Sequence, residues 1–359
     1  MPRDYFFELS VRQVRAGHVV DVLTWNRNGR YSEEIVDDDF VIHRLHGLNF
    51  SAGGMIQEYP YLPGLPAEIE RLKPQIVHAE SHLFLTTVQA VKKAKRLGLP
   101  SVVTVHGVLA DRGVAINFAQ HVYLFTLGLE VFRSVDRVIC LTRSDARDIV
   151  RLGCALEKIR LVPNAVDTEL FRPCEEREYN LVVWVGRFVP EKGVEYLVEA
   201  ARIVAHEFRD VKFLLVGYGP LKAKIMKLMY DRGLLGNFVR FSEPLSRDEI
   251  AEILGKASFF VFPSLREGLP LSVLEAMASG VPVVCSAIPG ISDIVTHGEN
   301  GLLVPPRNPK AFAEAILTLS NDENLRRRLS QNARQLMLEK YCWSTIIKKM
   351  EKVYDETID

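Results

Sequence analysis

Two cations five residues apart, Arg187 and Lys192, are the first residues in this sequence with an evident chemical use. Arg187 follows the predicted strand 181–185, and Lys192 opens the next predicted helix, whose N-terminus favours anions. A planar arginine fork and a mobile lysine ammonium together suit a diphosphate. The alternative, two solvated cations paired with Glu191 or Glu195, stays open on this pattern alone.

Two glutamates, Glu267 and Glu275, stand eight residues apart in the stretch EGLPLSVLE. The first lies in a predicted loop and the second in the first turns of a helix predicted to start near Leu271. The backbone between them, residues 268–272, would present N–H donors to an anion. Carboxylates accept hydrogen bonds from sugar and ribose hydroxyls. Two glutamates at this spacing are nevertheless common, so the pair alone is not specific.

Other polar or glycine residues also follow predicted strands. They are Gly186, Gly217, Gly219 and His106. In an open parallel sheet, ligands bind beyond the carboxyl ends of the strands, so these residues are expected to share an edge with the cations and glutamates. A glycine after a strand is also ordinary turn chemistry, which is the alternative interpretation for Gly217 and Gly219.

Short apolar runs alternate with longer amphipathic runs along nearly the whole chain. The predicted strands are 19–24, 40–45, 75–78, 101–105, 137–141, 159–162, 181–185, 211–216, 238–241, 258–262, 282–285 and 301–304. The predicted helices include 2–16, 83–97, 144–152, 191–208, 221–232, 247–256 and 343–354. Strands that are apolar on both faces and alternate with helices indicate α/β architecture with parallel sheets covered by helices.

One sheet holding all these strands would be unusually wide, which favours two Rossmann-like, doubly wound domains. We expect the first domain to span residues 1–165 and the second 166–342. The last helix, 343–359, is expected to pack toward the first domain. The polar strand ends of the two domains would then face an interdomain cleft.

The composition excludes several classes of protein. The chain has 359 residues, of which 48% are apolar and 25% charged, as in ordinary globular proteins. Lysine plus arginine equals aspartate plus glutamate at 45 each, so bulk charge gives no reason to expect nucleic acid as a partner. The five cysteines form no CxxC pair, which argues against a metal site. With no apolar run of spanning length and no leader-like start, the expected location is the cytoplasm.

The motifs taken together are far more specific than their parts. Gly-Arg-x(4)-Lys-Gly, GxGP, Pro-Ser-x(2)-Glu-Gly-x(6)-Glu-Ala-Met-Ala-x-Gly-x-Pro-Val-Val and Glu-Asn-Gly-Leu-Leu-Val occur in this order at strand ends. This series resembles glycosyltransferase family 4, the retaining "glycosyl transferases group 1" enzymes of GT-B fold. The resemblance is strong from Asn164 to about Trp343. It continues more weakly over the first half through Gly17-His18-Val19, Val105-His106-Gly107 and Pro163-Asn164-Ala165-Val166-Asp167.

The resemblance implies roles for individual residues. Arg187 and Lys192 would neutralise the diphosphate of a departing nucleotide, with Gly186, Gly217 and Gly219 on the nucleotide side. Glu267 would hold hydroxyls of the transferred sugar and Glu275 the ribose. The backbone of Gly268, Leu269, Pro270 and Leu271 would approach the sugar and phosphates, and His106 would face the donor sugar.

The same resemblance implies the reaction and its partners. A hexose would move from a nucleotide-diphosphate sugar, such as a UDP- or GDP-hexose, to a hydroxyl of a lipid-linked, polysaccharide or small-molecule acceptor, with no obligatory metal and no other cofactor. Two alternatives stay open: a catalytically weakened GT-B protein that binds nucleotide sugar, and a GT-B nucleotide-sugar epimerase.

Two features of the first half complicate this assignment. Relatives begin that domain with a buried strand and a glycine-rich loop, which this sequence lacks; its sheet is therefore expected to have a gap that leaves 19–24 and 101–105 partly covered, unless the opening helix shifts over the edge. The segment 115–132 is apolar nearly all round at helical spacing. It is read either as a buried helix or as an apolar face that meets a lipid-linked substrate or membrane surface, with peripheral membrane contact.

Overall fold

The computed structural model describes residues 5–27, 29–49, 59–107, 123–235, 239–242 and 245–359. The chain divides into two compact units. Unit 1 contains residues 1–141, 145–162 and 347–359, and unit 2 contains residues 142–144 and 163–346. The long stretch of unit 2 thus begins at Pro163, and the end of the chain belongs to unit 1.

Unit 1 is built from short strands and five helices among its described residues, completed by the last helix of the chain. The strands are β1 (Val20–Trp25), β2 (Ser32–Asp37), β3 (Phe40–Leu45), β4 (Leu48–Asn49), β5 (Pro60–Tyr61), β6 (Val77–Glu80), β7 (Ser101–Val105), β8 (Arg137–Cys140) and β9 (Ile159–Leu161). The helices are α1 (Tyr5–Arg15), α2 (Leu65–Leu72), α3 (Leu85–Leu97), α4 (Leu129–Ser134) and α5 (Arg143–Arg151).

The strands of unit 1 form separate sheets. The sheet β6-β7-β8-β9 is parallel throughout, whereas in β1-β3-β2 the first pair is parallel and the second antiparallel. In the described part of the chain β1 pairs with β3 and β6 with β7, so the parallel strands are split at the predicted gap. The expectation of partial cover holds for β1, which is mostly half-buried. It is wrong for β7, which is buried along its whole length, because β7 lies between two neighbouring strands and is packed against α3.

Helices from the two ends of the chain meet the two larger sheets of unit 1. On α1, the Phe7 ring packs on Phe40 of β3 with 5.5 Å between ring centroids. Gln13, also on α1, donates to the Tyr354 hydroxyl at 2.7 Å. That hydroxyl lies 2.7 Å from Nδ1 of His78 on β6. Contacts through α1 and the last helix therefore connect strands that share no backbone hydrogen bonds.

Unit 2 is a six-stranded parallel sheet with helices between its strands. The strands are β10 (Leu181–Val185), β11 (Lys212–Val216), β12 (Val239–Ser242), β13 (Phe259–Phe262), β14 (Val283–Ser286) and β15 (Leu302–Val304). The helices are α6 (Val194–Glu207), α7 (Lys222–Asp231), α8 (Arg247–Lys256), α9 (Leu271–Ala278), α10 (Pro289–Ser292), α11 (Pro309–Asn321) and α12 (Glu323–Leu336), followed by α13 (Trp343–Ile358), which ends in unit 1. The strand order is β12-β11-β10-β13-β14-β15.

One strand was not predicted from sequence, one predicted helix is broken, and one predicted segment lies partly outside the described residues. Strand β2 was not predicted, because all six of its residues are exposed and show no apolar alternation. The predicted helix 191–208 is broken at Gly193, which adopts φ +58° between a 3₁₀ turn and α6. Of the apolar segment 115–132, residues 115–122 lie outside the described residues, and at its end Val131 and Phe132 are buried. Among the described residues, no helix combines the length and apolarity needed to cross a bilayer.

Candidate functional site

The order in which strands are added to the sheet of unit 2 reverses between β10 and β13. Starting from β10, successive strands are added on one side as β11 and β12 and on the other as β13, β14 and β15. Such a switch point leaves a crevice beyond the carboxyl ends of the two central strands, where ligands bind in open α/β sheets. The loops that follow β10 and β13 carry the predicted cations and glutamates, so the topology brings together groups about 75 residues apart in sequence.

Lys192 and Glu267 form an ion pair across this switch point. The Lys192 ammonium lies 2.5 Å from Oε1 of Glu267, and the two side chains are only 16% and 11% exposed. The Ser264 hydroxyl donates to the same carboxylate oxygen at 2.5 Å. The ammonium also lies 5.0 Å from the ring centroid of Phe262, the last residue of β13. The alternative in which Lys192 pairs with a neighbour on its own helix is therefore wrong.

Arg187 differs from Lys192 in having no partner among the described residues. Its side chain is exposed at the end of β10, and no ion pair or hydrogen bond links it to any described group. The pairing with Glu191 or Glu195 that the sequence left open is thus not seen in this part of the chain. An exposed arginine beside a helix N-terminus is available to bind an anion.

The loop 268–271 leads into α9, whose first intrahelical hydrogen bonds run from Val273 and Leu274 to the carbonyl of Pro270. The N–H groups of Leu271 and Ser272 precede that ladder and are suited to an anion or an oxygen-rich ligand. Gly268 and Leu271 are half-buried, whereas Leu269 and Pro270 are buried. The sequence therefore places backbone donors, rather than charged side chains, at this end of α9.

Glu275 lies in the second turn of α9, and its environment disfavours its charge. Burial raises the pKa of this carboxyl from its usual value near 4.5 to about 7, an effect that the Arg247 charge partly opposes. The Glu275 carboxyl is therefore close to half-ionised at neutral pH. A ligand hydroxyl that donates to the carboxylate would favour the charged form.

The glycines that follow β10 and β11 are required by backbone packing. A Cβ on Gly217, which adopts φ +144°, would lie 1.8 Å from the carbonyl oxygen of Gly186. A Cβ on Gly219, at φ +146°, would lie 2.6 Å from the carbonyl oxygen of Phe188. The two loops therefore lie too close together for a side chain at either position, and the N–H of Phe188 donates to the carbonyl of Tyr218 between them at 2.7 Å. The backbone therefore requires glycine at positions 217 and 219, independently of any bound nucleotide.

Three residues that support the loop after β13 were missed from sequence. Asn164 donates its side-chain amide to the carbonyl of Leu269 at 3.0 Å, and both groups are buried. The Ser264 hydroxyl oxygen, besides contacting Glu267, lies 2.8 Å from the carbonyl oxygen of Glu191. Gly290 on α10 packs so closely that an added Cβ would lie 1.7 Å from the carbonyl oxygen of Gly268. The motif Pro163-Asn164 and the Ser264 in Pro-Ser-x(2)-Glu were visible signals, but only the fold shows what they contact.

His106, the remaining predicted residue, belongs to unit 1. It directly follows β7, and its Nε2 lies 2.7 Å from Oε2 of Glu80, at the end of the neighbouring strand β6. The Phe6 ring approaches the imidazole edge-on, with 5.5 Å between centroids.

Among the described residues, one group of histidine and carboxylates has metal-like spacing, and none of its members is a predicted site residue. Glu33, His43 and Glu68 bring their ligand atoms within 4.8 Å of one another in unit 1. Arg71 already pairs with Glu68. This cluster is explained as a network of ion pairs that attaches β2 and α2 to β3.

Comparison with known proteins accounts for both units. The family described as "Glycosyltransferase Family 4" matches residues 4–170, and "Glycosyl transferases group 1" matches residues 167–336. The "uncharacterized glycosyltransferase MJ1178" of Methanocaldococcus jannaschii is 30% identical over 284 residues, 79% of this chain and 76% of that protein. The Escherichia coli UDP-Gal:alpha-D-GlcNAc-diphosphoundecaprenol alpha-1,3-galactosyltransferase is 30% identical over 324 residues, 85% of this chain and 80% of that protein.

A solved structure supports the fold independently. Sucrose-phosphate synthase from Thermosynechococcus elongatus superposes with a TM-score of 0.79 at 23% identity, covering 98% of this chain and 92% of that one. Two Rossmann-like units with the strand order described above define a GT-B protein. The chain belongs to the group 1 glycosyltransferases of family 4, and it is a glycosyltransferase.

Proposed function

We propose that this protein is a retaining glycosyltransferase that moves a hexose from a nucleotide-diphosphate sugar to an acceptor hydroxyl. The observation that carries the proposal is the switch point of unit 2, where exposed Arg187, the Lys192–Glu267 pair and the N-terminus of α9 come from adjacent strand ends. The names of the relatives support the donor and acceptor classes, since the E. coli enzyme uses a UDP-sugar and a diphosphoundecaprenol-linked acceptor.

The positive groups of the site suit the leaving group of this reaction. When the bond between the sugar C1 and the diphosphate oxygen breaks, the diphosphate gains negative charge and the sugar gains positive charge. Arg187, Lys192 and the N–H groups at the start of α9 would stabilise the diphosphate, acting on the transition state more than on the ground state. The new bond forms between C1 and the acceptor oxygen, whose proton passes to the leaving diphosphate oxygen.

Glu267 fits the role of a sugar clamp better than that of a nucleophile. Its Oε1 is already bound by both Lys192 and Ser264. Two donors on one oxygen fix the orientation of the carboxylate, which suits an acceptor of sugar hydroxyl hydrogens. Lys192 would then contact both Glu267, which holds the sugar, and the diphosphate.

The proposal includes turnover without an added metal, because two cationic side chains and helix N-termini provide the positive charge at the leaving group. We expect nucleotide release to continue after the protein is treated with EDTA. Loss of release, restored by Mg²⁺ or Mn²⁺, would contradict this part of the proposal.

The test measures release of nucleotide from a panel of UDP- and GDP-sugars, with and without sugar and lipid-linked acceptors. Arg187→Ala should lower turnover by about 100-fold, as removal of one transition-state donor does in other enzymes. The matched control is Arg209→Ala, since Arg209 is an exposed arginine of the same unit in the turn before β11. Equal rates for the two variants would refute the leaving-group role. Conversion of the donor sugar to its epimer, or binding of donors without release, would favour the two alternatives.

A further inference from the structure

A chain of polar contacts in unit 1 ends on His106, and its other members have been given no functional role so far. Glu80 Oε2 lies 2.7 Å from His106 Nε2. The other oxygen of Glu80 lies 3.7 Å from Nε2 of His78. Glu80, the last residue of β6, thus stands between His78 of the same strand and His106, which directly follows β7.

His78 is held from both sides of its ring. Its Nε2 lies 2.7 Å from the hydroxyl of Thr104, and its Nδ1 lies 2.7 Å from the hydroxyl of Tyr354 on α13. Tyr354 is in turn held by Gln13. Because both ring nitrogens are hydrogen-bonded, His78 has a fixed orientation beside the Glu80 carboxylate.

The charge state of Glu80 decides the direction of its bond to His106. Burial alone would raise the pKa of the Glu80 carboxyl, but nearby His78 and the hydrogen bond from His106 outweigh burial, and the pKa is lowered. An ionised carboxylate only accepts hydrogen bonds, so Nε2 of His106 must carry the hydrogen. Nδ1 is then the ring nitrogen left for a ligand, and no described residue forms a hydrogen bond with it.

We propose that Glu80 is a positioning residue for His106: it keeps the hydrogen on Nε2, fixes the plane of the ring together with Phe6, and so leaves Nδ1 as a hydrogen-bond acceptor for the substrate. This inference rests on the proposed function, because it concerns a histidine assigned to the donor sugar. The carboxylate–imidazole pair acts here as such pairs do elsewhere, by fixing the tautomer and orientation of the ring.

The first measurement does not depend on activity. Nitrogen-15 NMR of histidine-labelled protein distinguishes the two ring nitrogens, and the His106 signals are assigned by their loss in His106→Gln. We expect the neutral ring of the full-length wild type to be protonated at Nε2, and Glu80→Ala to populate both tautomers. Glu80→Gln keeps an acceptor oxygen and should preserve the wild-type tautomer. Glu157→Gln, a change at an exposed glutamate of unit 1, is the control. An unchanged His106 tautomer in Glu80→Ala would overturn the inference.

The second measurement links the pair to catalysis. Glu80→Ala should lower kcat/KM for the best nucleotide sugar about tenfold, with most of the loss recovered in Glu80→Gln, as for other groups that orient a functional imidazole. Full activity in Glu80→Ala, with the tautomer altered, would overturn the positioning role while leaving the proposed function intact. If wild type and His106→Gln release nucleotide at equal rates, the role of His106 itself fails, and the inference with it.

Discussion

At the scale of single residues, Glu275 is a group whose charge depends on pH near neutrality. Its pKa is raised to about 7 by burial. In the unfolded chain the carboxyl loses its proton near its ordinary pKa, so the folded state holds more protons between these two values. Its contribution to stability is therefore present in full below about pH 4.5 and is lost as the pH rises toward 7.

This reasoning predicts that Glu275→Gln reduces the pH dependence of unfolding. Between pH 5 and pH 8, the free energy of unfolding of wild type should fall relative to that of the variant by about 1–2 kcal/mol, a value that allows for the partial exposure of the side chain. Urea unfolding at several pH values measures the difference. Glu314→Gln, at an exposed site on α11, should follow the wild-type curve. A difference that is constant with pH would contradict the shifted pKa.

The two glutamates of the site should differ in which part of a donor they recognise. Glu267 is held by Lys192 and Ser264, whereas Glu275 lies deeper along α9, beyond the N-terminal amides. We predict that Glu275→Gln weakens binding of bare nucleotide, while Glu267→Gln leaves it within about threefold and instead weakens binding of the nucleotide sugar. Calorimetric titration with both ligands tests this division. It is refuted by equal losses of nucleotide affinity in the two variants.

At the scale of elements, the strand-end loops of unit 2 depend on close backbone contacts. Gly217→Ala places a methyl group against the carbonyl oxygen of Gly186 at a positive φ. We expect it to destabilise the protein by at least about 3 kcal/mol, since backbone atoms cannot move aside as flexible side chains do. Gly233→Ala is the matched control, because Gly233 also has positive φ (+66°) but no atom within 4 Å. It should cost about 1 kcal/mol, from conformation alone.

Chemical denaturation of both glycine variants checks this prediction. Similar losses of stability at the two positions would show that positive φ alone, and not the contact between loops, makes glycine necessary at Gly217.

The elements that bury apolar residues were readable from sequence, and the exposed or supporting parts were not. The predicted strand 181–185 matches β10, because its run LVVWV is apolar on both faces. The strand β2, with the sequence SEEIVD, is exposed and held by pairing with β3 and by ion pairs of Glu33 and Glu34. No local pattern reports such partners.

The same distinction holds for the candidate site: its charged residues could be predicted from sequence, but their long-range contacts could not. Arg187, Lys192, Glu267 and Glu275 were predicted as site residues from their order along the chain, whereas the contact of Lys192 with Glu267 could not be predicted. The contact between Lys192 and Glu267, which are 75 residues apart in sequence, depends on which strands are neighbours in the sheet. Sequence periodicity does not show strand order.

At the scale of the whole molecule, the last helix belongs to unit 1 from Ile347 onward, although residues 163–346, directly before it, belong to unit 2. Tyr354 on this helix contacts both α1 and β6. We predict that Tyr354→Phe lowers the stability of unit 1 by about 1–2 kcal/mol, the usual cost when partly buried hydrogen bonds are lost. Tyr230→Phe, at an exposed position on α7, is the control and should have little effect.

Hydrogen exchange locates the effect of Tyr354→Phe. Amide protons of β6 and α1 should exchange faster, while those of β13 and β14 should be unchanged. Equally faster exchange in both units would show that the helix supports the fold as a whole rather than unit 1.

The membership of residues 347–359 in unit 1 also has a consequence for the order in which the protein is made. A ribosome adds about 5–20 residues per second, and domains usually fold in the order in which they emerge. Here the unit that emerges first lacks Tyr354 until almost the whole chain has been synthesised, whereas unit 2 is complete once Ile346 has left the exit tunnel. Unit 1 would therefore be the first to begin folding and the last to finish. During translation, His78 and Gln13 lack their partner Tyr354, which lies 276 and 341 residues further along the chain, respectively.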